Sequence, residues 1–215
     1  MLSVPARLAH VVTDDGAVFL DIETDRYFRL PSHLERPFAE ALAGRPVDHG
    51  QADRLVALGV LELARNAGPA RATAAIRVAD SIVDSATPGR VQLPTVAAAT
   101  GSLLRARRSL SRGLAETLHA IAANPARSGA SRDKASLRRA ALAFLAARRF
   151  IPVRPVCLLD SVAMLDYLSW RGLDADLVFG VIVRPFSAHC WLQVGDLALN
   201  DEFDNLVGRA PILVI

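Results

Sequence analysis

Cysteine is scarce in this chain, which has only Cys157 and Cys190 among 215 residues. Two thiolates are too few for a four-cysteine zinc site. The segment MLSVPARLAHVV lacks the long apolar stretch of a signal peptide, and no apolar run reaches the roughly 18 residues of a membrane span. We therefore expect a cytoplasmic protein with free thiols and no membrane association. Since 52% of its residues are hydrophobic, it has ample material for a packed core.

Several motifs of known chemistry are also absent from the sequence. It has no glycine-rich phosphate loop, no HExxH and no GxSxG. Four histidines, His10, His33, His49 and His119, are scattered without a metal-ligand spacing. The sequence therefore predicts no metal site, and it shows no bound cofactor or ATP site.

Positive charge is concentrated in the middle of the chain. Residues 101–150 contain 11 basic and 2 acidic residues, whereas residues 151–215 contain 4 basic and 8 acidic ones. Such a block is either the solvated face of helices or a docking surface for an acidic peptide or nucleic acid. The sequence leaves these alternatives open.

The pattern of strands and helices predicts an α+β fold. In the first 64 residues, three short strands (8–12, 17–22 and 26–30) precede two helices, with Ser32 as N-cap of the first and residues 49–58 forming the second. Residues 65–100, rich in alanine and interrupted by prolines, are interpreted as a connection that contains a helix at about 71–85. Longer helices are expected at about 96–123 and 133–149.

The last 65 residues predict a helix packed on a small sheet. Pro152 and Pro155 favour an extended approach to a helix that begins near Cys157 and ends at Gly172. Strands are expected at 176–183 and 189–194, and the chain turns back at Gly195 into a strand over 197–200.

Cys157 is a candidate nucleophile because of its place in the first helical turn. The unpaired N–H groups and the dipole of a helix start favour a thiolate and can bind an oxyanion. His189 on a strand is the natural base. By itself, a helical cysteine is more often a small core residue, and Cys190, on the other strand face, is interpreted as one.

Three carboxylates are candidates to orient His189. A two-residue turn after Val194 places Glu202 opposite His189, whereas a three-residue turn or a bulge places Asp201 there. Spacing alone leaves these two open, and Asp204 is more remote.

The stretches CLLDSVAMLDYLSWRGLDADLVFGV and RPFSAHCWLQVGDLALND resemble the transglutaminase-like cysteine peptidases that mature lasso peptides. The resemblance covers about residues 140–207. It implies a papain-like α+β domain over 101–215, with Cys157 as nucleophile, His189 as base and Asp201 as orienting acid. The choice of Asp201 in turn implies a bulge or a wider turn.

The stretch DDGAVFLDIETDRYFRLP resembles the winged-helix-like (PqqD-like) domain that recognises leader peptides, named after the pyrroloquinoline quinone chaperone. The resemblance implies that residues 1–64 bind a precursor's leader as an added strand. The residues implied to contact it are Tyr27, Phe28, Arg29, Leu30 and Leu55.

Together the two resemblances imply a leader peptidase of lasso-peptide maturation. Its partners would be the precursor peptide and an asparagine-synthetase-like macrocyclase, and its activity would depend on ATP in some members. Two other functions stay open. One is a nucleic-acid-binding winged-helix regulator that uses arginines such as Arg105 and Arg108. The other is acyl transfer to an amine by the same three residues.

Overall fold

The computed structural model describes residues 2–63, 77–85 and 91–215. Its amino-terminal part has two helices and an antiparallel sheet of order β2-β3-β4, and a short strand pair, β1 with β5, lies beside them. The elements of this part are β1 (Leu2–Ser3), β2 (Leu8–Thr13), β3 (Gly16–Asp21), β4 (Arg26–Arg29), α1 (Ser32–Leu42), α2 (His49–Ala57) and β5 (Glu62–Leu63). The three strands and two helices predicted here are confirmed.

Strand β3 is buried on both faces because the sheet has a neighbour on each side. Phe19 packs with α1 and α2 residues in one apolar cluster, whereas Val18 and Leu20 belong to the core of the carboxy-terminal part. Alternating side chains of one strand therefore join the two parts of the chain.

The predicted cap of the first helix is wrong. Ser32 is already helical, and Pro31 precedes it without a side-chain hydrogen bond to the helix. Proline fixes a φ that suits a helix start, so the chain enters α1 without a capping hydroxyl. The second helix does have a side-chain cap, since Asp48 accepts a hydrogen bond from the Gln51 N–H.

The carboxy-terminal part packs helices against a five-stranded sheet of order β10-β7-β8-β9-β6. Its elements are β6 (Asp80–Ser81), α3 (Leu93–Leu110), α4 (Leu114–Ala122), α5 (Lys134–Arg148), α6 (Cys157–Ser169), β7 (Asp176–Ile182), β8 (Ser187–Val194), β9 (Leu197–Ala198), α7 (Phe203–Leu206) and β10 (Ala210–Val214). Helix α6 packs against β8 and against the long helix α3.

Two helix predictions differ from the structure. The helix expected at 96–123 is two helices, because the chain turns at Gly113, whose φ of 118° is accessible mainly to glycine. The helix expected at 71–85 is wrong for residues 77–85, where the two-residue strand β6 pairs in parallel with β9 and a turn follows over 82–85. Residues 71–76 lie outside the described part of the chain.

Much of the basic block is paired within the molecule. Five of its cations form ion pairs with aspartates of the acidic last third of the chain: Arg105, Arg127, Arg132, Lys134 and Arg148. Part of the uneven charge along the sequence is therefore balanced in three dimensions. This pairing engages Arg105, one of the arginines of the nucleic-acid interpretation, whereas Arg107 and Arg108 stay exposed.

Over the described ranges, none of the helices has both the length and the apolar character that a membrane span requires.

Candidate active site

Cys157 is the first residue of α6 and is exposed to solvent. The residue before it, Val156, is extended, and its N–H donates to Asp160 Oδ2 at 3.1 Å. The other carboxylate oxygen of Asp160 accepts from Arg148 Nε at 2.6 Å. One carboxylate in the first turn therefore ties the helix start to the end of α5.

Arg148 fixes the loop that leads into the nucleophile. It is 9% exposed, and its guanidinium donates to the carbonyls of Ile151 at 3.1 Å and Val153 at 2.8 Å. Sequence reasoning missed this residue because the basic block was interpreted as a surface. The Pro152 and Pro155 signals marked the loop but not the cation inside it.

The structure brings Cys157, His189 and Asp201 together. His189 Nε2 lies 2.5 Å from Asp201 Oδ2, and the imidazole also hydrogen-bonds the Cys157 thiol. Because Nε2 is engaged with the carboxylate, Nδ1 is the nitrogen left for the sulfur. This is the order nucleophile, base and orienting acid that nucleophilic catalysis requires.

The electrostatics of the three groups favour a thiolate–imidazolium pair. The hydrogen bond from His189 lowers the pKa of Cys157, and the N–H groups of Cys190 and Leu158 act in the same direction. The hydrogen bond to Asp201, followed by that to Cys157, raises the pKa of His189 to about 9. Near neutral pH, proton transfer from sulfur to imidazole is therefore favoured.

Asp201 is held by its own set of donors. Its Oδ1 accepts from the Asn205 side chain and from the Glu202 N–H, each at 2.8 Å, and its carbonyl accepts from the Ser81 hydroxyl of β6. Burial alone would raise the pKa of Asp201, but the hydrogen bonds from His189 and Asn205 outweigh it and lower that pKa. The carboxylate therefore stays ionised.

The other two carboxylates take no part in this arrangement. Glu202 and Asp204 are exposed, and Glu202 contributes only its backbone N–H to the site.

The route by which Asp201 reaches His189 differs from the prediction. Val194 is paired with Leu197, so the turn is the simple two-residue one and the expected bulge or wider turn is wrong. The ladder ends after Leu199, and the Asn200 side chain replaces the next backbone acceptor by taking the Leu192 N–H at 2.7 Å. Released from the ladder, Asp201 extends its side chain to the imidazole.

Asn200 also connects the two elements that carry Cys157 and His189. Its amide donates to the Ser161 hydroxyl at 2.8 Å, and Ser161 donates to the Cys190 carbonyl at 3.2 Å. Ser161 lies one turn after Cys157 on α6, and Cys190 follows His189 on β8. This buried network sets the distance between nucleophile and base.

An indole ring lies behind the His189 imidazole. The rings of Trp191 and His189 are stacked with centroids 6.3 Å apart and an interplanar angle of 18°. The indole is 2% exposed and donates to the Gln193 side chain at 2.8 Å. It fits only because Gly180 on β7 faces it, since a Cβ there would lie 2.5 Å from the ring.

Cys190 is a core residue, as its strand position predicts. It is 3% exposed, and burial raises the pKa of its thiol well above the ordinary value. The two cysteines therefore lie in opposite environments.

The residues that the resemblance assigns to leader binding divide between the two faces of the sheet. Phe28 and Leu30 pack with Leu55 in the cluster under α1 and α2, whereas Tyr27 turns toward the carboxy-terminal core. Leu55 has no exposed surface, so its expected contact with a leader needs correction: it supports the helix from inside. Arg29 is exposed and donates to the Asp15 carbonyl at 2.6 Å.

Strand β4, which carries Tyr27, Phe28 and Arg29, is an edge strand, and its outer side has no strand partner among the described residues.

Within residues 2–63, 77–85 and 91–215, no group of three or more histidine, cysteine, aspartate or glutamate side chains is arranged to hold a metal ion.

Comparison with known proteins identifies the family. The model of the transglutaminase-like superfamily matches residues 99–214, which include all three residues of the site. The chain belongs to the transglutaminase-like superfamily. That superfamily includes cysteine peptidases and acyltransferases.

One curated relative is the microcin J25-processing protein McjB of Escherichia coli, 44% identical over 45 residues. The aligned segment spans only 21% of this chain and 22% of McjB. No solved structure is significantly similar to the chain.

Proposed function

We propose that this protein removes the leader from a lasso-peptide precursor by cysteine peptidase chemistry. The observation that carries the proposal is the contact of exposed Cys157 with His189, which Asp201 orients. The similarity to McjB, a processing protein by its name, supports the choice of substrate class.

The chemistry follows from the protonation states. The Cys157 thiolate attacks the carbonyl of the last leader residue, and the first-turn N–H groups of α6 supply positive potential for the oxyanion. The His189 imidazolium then gives its proton to the departing core amine. Water, activated by the neutral imidazole, releases the leader from the thioester as a carboxylate.

The amino-terminal part is proposed to hold the leader along the free edge of β4. Backbone hydrogen bonds would supply affinity there. Because this edge is on the same chain as Cys157, binding would raise the effective concentration of the scissile bond. The freed core amine would pass to a separate asparagine-synthetase-like macrocyclase.

Acyl transfer to an amine uses the same three residues and is the second candidate, since the superfamily includes acyltransferases. The products separate the two reactions. Hydrolysis in H₂¹⁸O leaves one heavy oxygen on the leader carboxylate, whereas transfer to an amine leaves an amide without it.

The direct test is incubation with a lasso-peptide precursor from the same organism, followed by mass spectrometry of the products. We expect leader and core products with the wild-type protein and none with Cys157→Ala. Cys190→Ala is the matched control, because it removes the buried thiol and should still cleave. Cleavage by Cys157→Ala at the wild-type rate would refute the proposal.

A further inference from the structure

Tyr27 links the amino-terminal sheet to the surroundings of Cys157. On β4 it faces the carboxy-terminal core, opposite to Phe28, and its ring lies 5.7 Å from that of Phe186. Phe186 comes directly before β8 and only three residues before His189. The two aromatic rings therefore approach the site from different parts of the chain.

Two exposed apolar side chains flank the site residues along the chain. Val156, the neighbour of Cys157, is 49% exposed, and Phe186 is 50% exposed. Burial raises the pKa of Tyr27, and the charges of Cys190, Asp25 and Cys157 raise that pKa further, so the phenol stays neutral. Exposed apolar side chains next to a reactive group are typical of a binding surface.

We propose that Tyr27, Phe186 and Val156 form a subsite that binds a bulky apolar side chain on the last leader residue. The proposal rests on the proposed function and deepens it, because it gives the amino-terminal part a direct contact with the residue at the cut. Tyr27 is then a specificity residue of the peptidase and not only part of a leader groove.

The subsite can be tested without a precursor by alkylating Cys157 with chloromethyl ketones. The thiolate sulfur displaces chloride, so that a carbon–sulfur bond forms as the carbon–chlorine bond breaks. The reagents are N-acetylphenylalanyl and N-acetylglycyl chloromethyl ketone, with iodoacetamide as a small reference. Intact-mass spectrometry and peptide mapping measure the rate at Cys157.

We expect the phenylalanyl reagent to react about tenfold faster than the glycyl reagent with the wild-type protein, as for one apolar side chain in a pocket. Tyr27→Ala and Phe186→Ala should each lose most of this preference, with both ketone rates expressed relative to the same variant's own iodoacetamide rate. Tyr27→Phe, which keeps the ring, should retain it. Trp170→Ala is the matched control, since this exposed aromatic lies at the far end of α6.

Equal rates for the two ketones in the wild type, or a preference that survives in both alanine variants, would overturn the subsite. Because Phe186 is half exposed, Phe186→Ala keeps the test valid if Tyr27→Ala does not fold. Failure of the proposed function has a different signature: iodoacetamide would react at Cys157 no faster than with cysteine in an unstructured peptide.

Discussion

Replacing Gly180 by alanine is predicted to disturb His189 through the indole behind it. The new Cβ would lie 2.5 and 2.6 Å from ring carbons of Trp191 and 3.2 Å from the Arg209 Cβ. The indole is buried and hydrogen-bonded to Gln193, so moving it would disturb its packing and that hydrogen bond. These close contacts can be relieved only by a shift of the Trp191 indole, which stacks on the His189 imidazole.

The expected cost follows from overpacking. Extra volume in a well-packed core destabilises by about 1–3 kcal/mol, and replacing glycine by alanine in a strand returns roughly 0.5–1 kcal/mol of that. For a chain of this size each kcal/mol lowers the melting temperature by about 2–4 °C. A displacement of His189 by about 1 Å would slow the reaction about a hundredfold.

Thermal unfolding and the cleavage rate measure the two effects. Gly101→Ala is the control, because Gly101 lies in helix α3 and its Cβ would meet only the end of the flexible Arg105 side chain at 3.3 Å. That substitution should leave stability unchanged or raise it. Trp191→Phe removes the clashing ring atoms and should restore part of the stability in the Gly180→Ala background. A Gly180→Ala protein with wild-type stability and rate would refute this account of Gly180.

Three other perturbations follow from the site. Asp201→Asn should lower the pKa of His189 from about 9, which NMR titration can measure. It should also slow cleavage by about 10⁴-fold, because asparagine favours the wrong tautomer of the imidazole. An unchanged pKa of His189 would contradict the role of Asp201. In pH profiles, kcat/KM should rise through the lowered pKa of Cys157 and fall above about pH 9, because His189 then loses the proton that the departing amine needs. Iodoacetamide labelling of Cys157 needs no such proton and should stay fast above pH 9. A parallel fall of kcat/KM and of the labelling rate would contradict the role of His189 as the acid. Arg148→Ala should destabilise the protein by about 3–5 kcal/mol in urea unfolding, because it leaves Asp160 without its ion pair, and Arg149→Ala is the neighbouring control; similar midpoints for the two variants would contradict this.

The carboxy-terminal helix and strands could be predicted from sequence because their signals are local. Paired prolines, an apolar helix that ends at a glycine, a continuous apolar run and an alternating run mark α6, β7 and β8. The candidate nucleophile Cys157 and base His189 also follow from residue type and order, whereas the choice of Asp201 came from the family resemblance. Which carboxylate serves His189 could not be read from hairpin spacing, because the ladder ends after Leu199 and the chain geometry changes there.

The parts that the sequence did not reveal depend on long-range contacts. Strand β6 is two residues long and exists because it pairs with β9, more than 100 residues away in the chain. Arg148 is one of many arginines in the basic block, and only its burial beside Asp160 distinguishes it. The need for glycine at position 180 arises from Trp191 on the next strand, whose ring lies where a Cβ would be.

The central claim is that Cys157 forms a thioester with the leader. The most direct measurement is the intact mass of the protein after acid quench within milliseconds to seconds of mixing with the precursor peptide. We predict a species heavier by the mass of the leader acyl group, mapped to Cys157, lost on treatment with hydroxylamine and absent from Cys157→Ala. Release of the core peptide by the wild-type protein with no such adduct at any time, while Cys157→Ala cleaves equally fast, would contradict it.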